Sequence, residues 1–162
     1  LLPSEYQLLL VGSGDVEDKL KSLVRQRGLE DRVEFAGFVQ PDELPTYTNS
    51  AWLGLNLLEN TGLSYYYSLA NKAFDYIQAG LPSVQMDFPE YRALQEKYAC
   101  FLLLEQLQPT KLAKLILRLG ESLDTYDQTV QNCMTAAQQL NWEVEEQQLL
   151  AVYKQIIGTT NK

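Results

Sequence analysis

The sequence predicts an α/β fold, a parallel sheet of about five strands flanked by helices. Two patterns carry this expectation. Short, continuous apolar runs alternate along the chain with longer stretches whose apolar residues recur at helical spacing. The runs end in tight strand-to-helix turns, as in Leu8-Leu9-Leu10-Val11-Gly12-Ser13-Gly14. No repeat, low-complexity tract or linker interrupts residues 1–162, which read as one domain long enough to enclose a core.

Taken in order, the first strand is expected from Tyr6 to Val11. Asp15 then caps a helix that sets Val16, Leu20, Leu23 and Val24 on one face, and Gly28 ends it. Gly12-x-Gly14 lacks the third glycine of a dinucleotide fingerprint, so it reads first as a tight turn. A second strand covers Arg32 to Ala36, with Gly37-Phe38-Val39 after it. Pro41 opens a helix to Asn49 that turns Leu44 and Tyr47 inward. Trp52 to Leu58 is a third strand, and Glu59 to Tyr67 a loop. Its tyrosines, Tyr65-Tyr66-Tyr67, read either as a ring platform for a sugar or base or as loop packing.

Pro82 to Met86 and Cys100 to Leu104 are the fourth and fifth strands, with a short helix to Lys97 between them. Pro109 opens a helix carrying Leu112, Leu115, Ile116 and Leu119 on one face. Another runs from Thr125 to Gln139 and buries Tyr126, Val130, Cys133, Met134 and Ala137. Asn141 caps a last helix with Leu149, Val152, Tyr153 and Ile156 facing in.

The most informative stretch is Ser68 to Pro82. Ala70, Ala73, Phe74 and Ile77 fall on one helical face; Gly80 stops the helix and Pro82 returns the chain to extended backbone. Ser68 or Asn71 is placed to cap its start. Ser68, Asn71, Lys72 and Asp75 cluster there, beside free backbone N–H groups and the positive end of the helix dipole. That combination suits a phosphate; the plainer reading is an ordinary capped amphipathic helix.

Composition narrows the function. The net charge is −8 and the pI about 4.5, a poor match to general nucleic-acid or anionic-membrane binding. The chain has no histidine, which excludes Ser-His-Asp and Cys-His catalysis within it. Cys100 and Cys133 match no metal spacing and read as buried free thiols of a cytosolic protein. No metal and no cofactor is expected. No apolar run approaches the roughly 20 residues that span a bilayer, and no signal peptide is legible. Beginning at Leu1, the chain reads as a fragment or a processed product.

Four segments in order carry a family resemblance: Leu9-Leu10-Val11-Gly12-Ser13-Gly14; Arg32-Val33-Glu34-Phe35-Ala36-Gly37-Phe38-Val39; Asp75-Tyr76-Ile77-Gln78-Ala79-Gly80-Leu81-Pro82-Ser83-Val84; and Asn141-Trp142-Glu143 leading to Tyr153. With them the chain resembles the C-terminal, donor-binding domain of family-4 retaining glycosyltransferases of the GT-B fold. The resemblance spans nearly the whole chain and implies a Rossmann-like sheet. It implies a cytoplasmic hexosyltransferase of glycan biosynthesis that binds a nucleotide-diphosphate sugar, with an N-terminal acceptor domain absent here. Peripheral membrane association would belong to the full-length protein only.

By that resemblance Phe38 and Val39 hold the nucleotide base, Asp75 the donor ribose, and Ser68, Leu69, Ala70, Asn71 and Lys72 the diphosphate. Tyr67 stands where the family's first motif glutamate would sit near the donor sugar. No residue reads as catalytic, and the isolated fragment is expected to be inactive. Two alternatives stay open: a catalytically silent α/β interaction module, and a nucleotide-sugar epimerase-type domain.

The family's sheet order also implies that its central first strand is missing ahead of Tyr6. The edges at Tyr6–Val11 and Trp52–Leu58 would then face each other. Direct pairing of those edges, or completion through a dimer, is the expectation; filling by Leu1 to Glu5 is a further route. A split sheet is the least expected outcome, because a buried unpaired strand leaves orphan backbone groups.

Overall fold

The computed structural model describes residues 1–159. The elements alternate as the sequence predicts: β1 (Leu8–Val11), α1 (Glu17–Gln26), β2 (Val33–Gly37), α2 (Leu44–Ser50), β3 (Gly54–Asn56), α3 (Leu63–Tyr66), α4 (Asn71–Gln78), β4 (Ser83–Met86), α5 (Pro89–Tyr98), β5 (Phe101–Leu104), α6 (Pro109–Gly120), α7 (Leu123–Ala137) and α8 (Trp142–Thr159). Local signals set many of these bounds. Pro89 and Pro109 stand at helix starts, where a missing N–H goes unnoticed. Ser122 caps α7 by accepting the Thr125 N–H at 3.2 Å, and Asn141 Oδ1 accepts the Val144 N–H at 3.0 Å ahead of α8.

Every strand pairing is parallel, but the strands do not make one sheet. β1 pairs with β2, and β3, β4 and β5 form a separate three-stranded sheet. This corrects the expectation that the β1 and β3 edges join. The orphan-group argument fails because β1 is not buried: Leu8 and Leu9 are 39% and 36% exposed, so water reaches that edge. Nor does the Leu1 to Glu5 segment fill the gap as a strand. Tyr6 N–H turns back to the Pro3 carbonyl, and the Arg32 guanidinium donates to the carbonyls of Pro3 at 2.6 Å and Tyr6 at 3.0 Å. The gap is a cavity of about 850 Å³ lined by Leu8 and Leu9, by Trp52 and Leu55 on the β3 side, and by Leu112 and Ile116 of α6. Beside it the two halves meet through an aromatic ladder. Tyr6 stands edge-on to Trp52 at 6.0 Å, and Trp52 stacks on Tyr126 at 5.3 Å.

The core belongs to the second half. Val84, Met86, Phe101 and Leu104 of β4 and β5 pack with Ala73 and Ile77 of α4, Tyr91 of α5 and Cys133 and Ala136 of α7. β4 is buried along its length, as a central parallel strand covered on both faces should be. Away from this core several expected inward faces lie on the surface. Val16, Leu20 and Leu23 along α1 are exposed, as are Met134 on α7 and Leu149, Val152 and Tyr153 on α8. A helical period marks a face fit for covering; it does not supply the cover.

Other corrections are local. The residue before α1 is Val16, and no side chain caps that helix, so Asp15 does not take the role expected of it. The α2 helix begins at Leu44 with Pro45 in its first turn; Pro41 sits in the turn before it. Within the expected 59–67 loop, Leu63–Tyr66 forms a short helix.

Candidate donor-binding site at the start of α4

The strand ends that feed a ligand edge in such folds are those of β1, β2 and β3. The loops leaving them carry Gly12-Ser13-Gly14, Gly37-Phe38-Val39 and the segment that runs into α4. The first two loops are joined by the Gly12 N–H, which donates to the Gly37 carbonyl at 2.8 Å. Gly37 has φ +70° and ends β2, so the chain leaves the sheet there through a left-handed residue.

The α4 helix is seated firmly at its far end. Ala73 and Ile77 are fully buried. Gly80, at φ +65°, closes the helix, with its N–H on the Ile77 carbonyl and the Leu81 N–H on the Tyr76 carbonyl. The Gln78 amide donates to the Leu140 carbonyl at 2.8 Å, tying the helix to the turn between α7 and α8. Tyr76 packs its ring on Gly54 of β3 and donates its hydroxyl to the Leu55 carbonyl at 3.2 Å. Burial raises the Tyr76 pKa above its usual value; the Leu55 bond opposes this and the nearby Asp75 charge adds to it.

The other end of α4 is open. The residue before the helix is Ala70, in extended backbone, and no side chain caps the start. This corrects the expectation that Ser68 or Asn71 does so: Asn71 is the first helical residue, and the Ser68 hydroxyl donates back to the Tyr65 carbonyl at 2.8 Å. The Ala70 N–H is also taken, by the Tyr91 hydroxyl at 2.9 Å. Among the described residues, no acceptor engages the N–H groups of Leu69, Asn71 and Lys72. Asn71, Lys72 and Asp75 are exposed, and neither Lys72 nor Asp75 enters an ion pair in the described chain. Three free amides, the positive helix end and an unpaired lysine form an arrangement of the kind that suits an anion. Asp75, on the same face one turn on, offers a carboxylate to hydroxyl donors.

The remaining expected residues are more dispersed. Phe38 is 68% exposed and Val39 half-buried, both just beyond the end of β2 on the other sheet. No hydrogen bond or ring contact among the described residues links them to the α4 start. The three tyrosines divide. Tyr66 packs against Phe88 at 5.3 Å, while Tyr67 stands edge-on to Tyr66 at 5.0 Å and is exposed, as is Tyr65. Among the described residues, no group of three histidine, cysteine, aspartate or glutamate side chains is placed to hold a metal.

Sequence reasoning missed the polar residues beneath this site. Asn56 at the end of β3, and Ser83 and Gln85 in β4, are buried and bonded to one another and to Tyr91. The available signal was an asparagine and a glutamine inside two otherwise apolar strand runs.

The family model described as "Glycosyl transferases group 1" matches residues 2–122. No curated protein sequence is matched. Among solved structures, Anabaena HepE in complex with UDP superposes with a TM-score of 0.74 at 21% identity, covering 95% of this chain and 42% of that one. Sucrose-phosphate synthase from Thermosynechococcus elongatus gives 0.74 at 24% identity, covering 94% of this chain and 39% of the other. The C-terminal domain of the group 1 family protein LpcC from Francisella tularensis gives 0.62 at 13% identity, covering 86% of this chain and 87% of that domain. The chain therefore spans less than half the length of the first two.

Proposed function

The chain belongs to the glycosyl transferases group 1 family, and from that premise we propose that it is the donor-nucleotide half of a family-4, retaining hexosyltransferase. In this reading the start of α4 receives the diphosphate of a nucleotide-diphosphate sugar. The observation that carries it is the set of unpartnered amides at Leu69, Asn71 and Lys72 on an uncapped helix start, with the Lys72 ammonium beside them. Charge that develops on the departing diphosphate is met there by fixed N–H donors and one cation, which is the electrostatic help such a reaction needs. Asp75 accepts hydrogen bonds from the ribose hydroxyls, Phe38 and Val39 face the base, and Tyr67 lies nearest the sugar. HepE is a relative of the same fold that holds UDP, which makes UDP the probe of choice. No metal is assigned a role.

The acceptor domain is assigned to the rest of a longer, cytoplasmic polypeptide of glycan biosynthesis. So is a strand for the gap between β1 and β3; a dimer contact across the same edges is the other way to fill it. Among the described residues no side chain is assigned as a general base or nucleophile, so the isolated fragment is expected to turn nothing over. Tyr67, at the place of an acidic residue, and the divided sheet favour the second reading, a silent interaction module.

Calorimetric titration of UDP separates the two. A transferase half binds UDP saturably, and Lys72→Ala or Asp75→Ala each weakens that binding about tenfold, the scale of one charge-assisted bond. Absence of UDP binding, or affinity unaffected by both substitutions, supports the interaction module instead.

A further inference from the structure

A chain of buried polar groups runs beneath the start of α4. Tyr91 is fully buried, and its hydroxyl accepts two hydrogen bonds, from the Ala70 N–H at 2.9 Å and from Asn56 Nδ2 at 3.1 Å. Asn56 Nδ2 donates a second bond to Gln85 Oε1 at 2.7 Å, and Gln85 Nε2 donates to Ser83 Oγ at 2.9 Å. Asn56 is 2% exposed, and Gln85 and Ser83 are fully buried. The line thus passes from β4 through the end of β3 and α5 to one backbone atom, the amide of the residue before α4.

Packing alone does not account for such a line. Apolar side chains would fill the same space without desolvating four polar ones. The network is also not fully satisfied, because Asn56 Oδ1 is buried with no partner. What it does is geometric. The α4 helix has no side-chain cap, so no side chain of its own first turn braces the residues that carry its first amides. Tyr91 holds the Ala70 N–H, removing it from the donor set, and Ala70 lies between Leu69 and Asn71, whose amides are free.

We propose that Tyr91, held by Asn56, is a positioning residue for the anion site: its bond to Ala70 aims the Leu69, Asn71 and Lys72 amides at the diphosphate. This rests on reading the α4 start as a diphosphate site. It adds that the site is set from beneath by a tyrosine on α5.

The test uses the 162-residue chain and two measurements. The first is backbone amide hydrogen exchange in the absence of ligand. In the wild type the Ala70 amide is protected while Leu69, Asn71 and Lys72 exchange freely; in Tyr91→Phe, which keeps the ring, Ala70 exchanges about tenfold faster, as loss of one hydrogen bond implies. An unprotected Ala70 in the wild type overturns the proposal without need of any variant. The second is titration with UDP and with uridine. Tyr91→Phe should weaken UDP about tenfold and leave uridine unchanged, because only the diphosphate meets the aimed amides. Equal loss for both ligands, or loss for neither, overturns the positioning role and leaves the donor-site reading standing. A wild-type chain that takes up no UDP overturns that reading and this proposal together.

Discussion

Gly54→Ala tests how tightly β3 and α4 are locked. A Cβ at position 54 would lie 2.6 Å from Cδ2 and 2.7 Å from Cε2 and Cγ of the Tyr76 ring. Carbon atoms in contact stand about 3.5–4.0 Å apart, so the overlap is about 1 Å. The ring is poorly placed to yield, because its hydroxyl is tied to the Leu55 carbonyl. Overpacking of this kind costs about 1–3 kcal/mol. If the ring swings away it also gives up the Leu55 bond, about 0.5–1.5 kcal/mol more. Together that is about 1.5–4.5 kcal/mol. At about 2–4 °C per kcal/mol for a chain of this size, the melting temperature falls by about 3–18 °C. Differential scanning calorimetry reads this directly. A Gly54→Ala/Tyr76→Leu double variant should recover part of the loss, giving a coupling of about 1 kcal/mol. An unchanged melting temperature, or strict additivity in the double variant, refutes the account of this contact.

Other consequences follow from the buried titratable groups and the core. The Cys133 thiol donates to the Cys100 carbonyl at 3.3 Å, and its pKa is driven above its usual value by its bond to the Cys100 sulfur and by burial. Both cysteines should resist a thiol reagent in the native state and react on unfolding; rapid native labelling would contradict their burial. Tyr76, like Cys133, holds its proton more tightly folded than unfolded, so its contribution is present below its ordinary pKa of about 10 and is lost as pH rises through the shifted folded value. Denaturant midpoints should therefore fall in the alkaline range above about pH 9–10, and less so in Tyr76→Phe; a flat profile there would count against the buried hydroxyl. Ile77→Ala, at a fully buried site on α4, should lower stability by about 2–5 kcal/mol in a denaturant melt, and a loss below 1 kcal/mol would show the site can collapse.

The order of elements was legible because each has its own local punctuation. Gly80 ends α4 through a positive φ, Pro109 opens α6, and Asn141 accepts the Val144 N–H. What lies across from an edge or a face leaves no such mark. β1 reads as a buried strand from its run of leucines, yet its outer edge is open, and the α8 face reads as inward yet is exposed. The pattern records hydrophobicity along the chain; the missing information is the partner.

At the site, the helix and its exposed Lys72 and Asp75 were readable from spacing. The cap was not, because Ser68 and Asn71 lie two and one positions from Ala70 and the backbone chose Ala70. The supports on Asn56, Gln85 and Tyr91 lie 15, 14 and 20 residues from Asn71 in sequence, too far for local rules to join.

The central claim is that the start of α4 receives a diphosphate. It is tested most directly by following backbone amide resonances of the chain during a titration with UDP. The account predicts saturable shifts led by Leu69, Asn71 and Lys72, with Ala70 moving less because its N–H stays on Tyr91. Shifts confined to another surface, or none at all at saturating UDP, would contradict it.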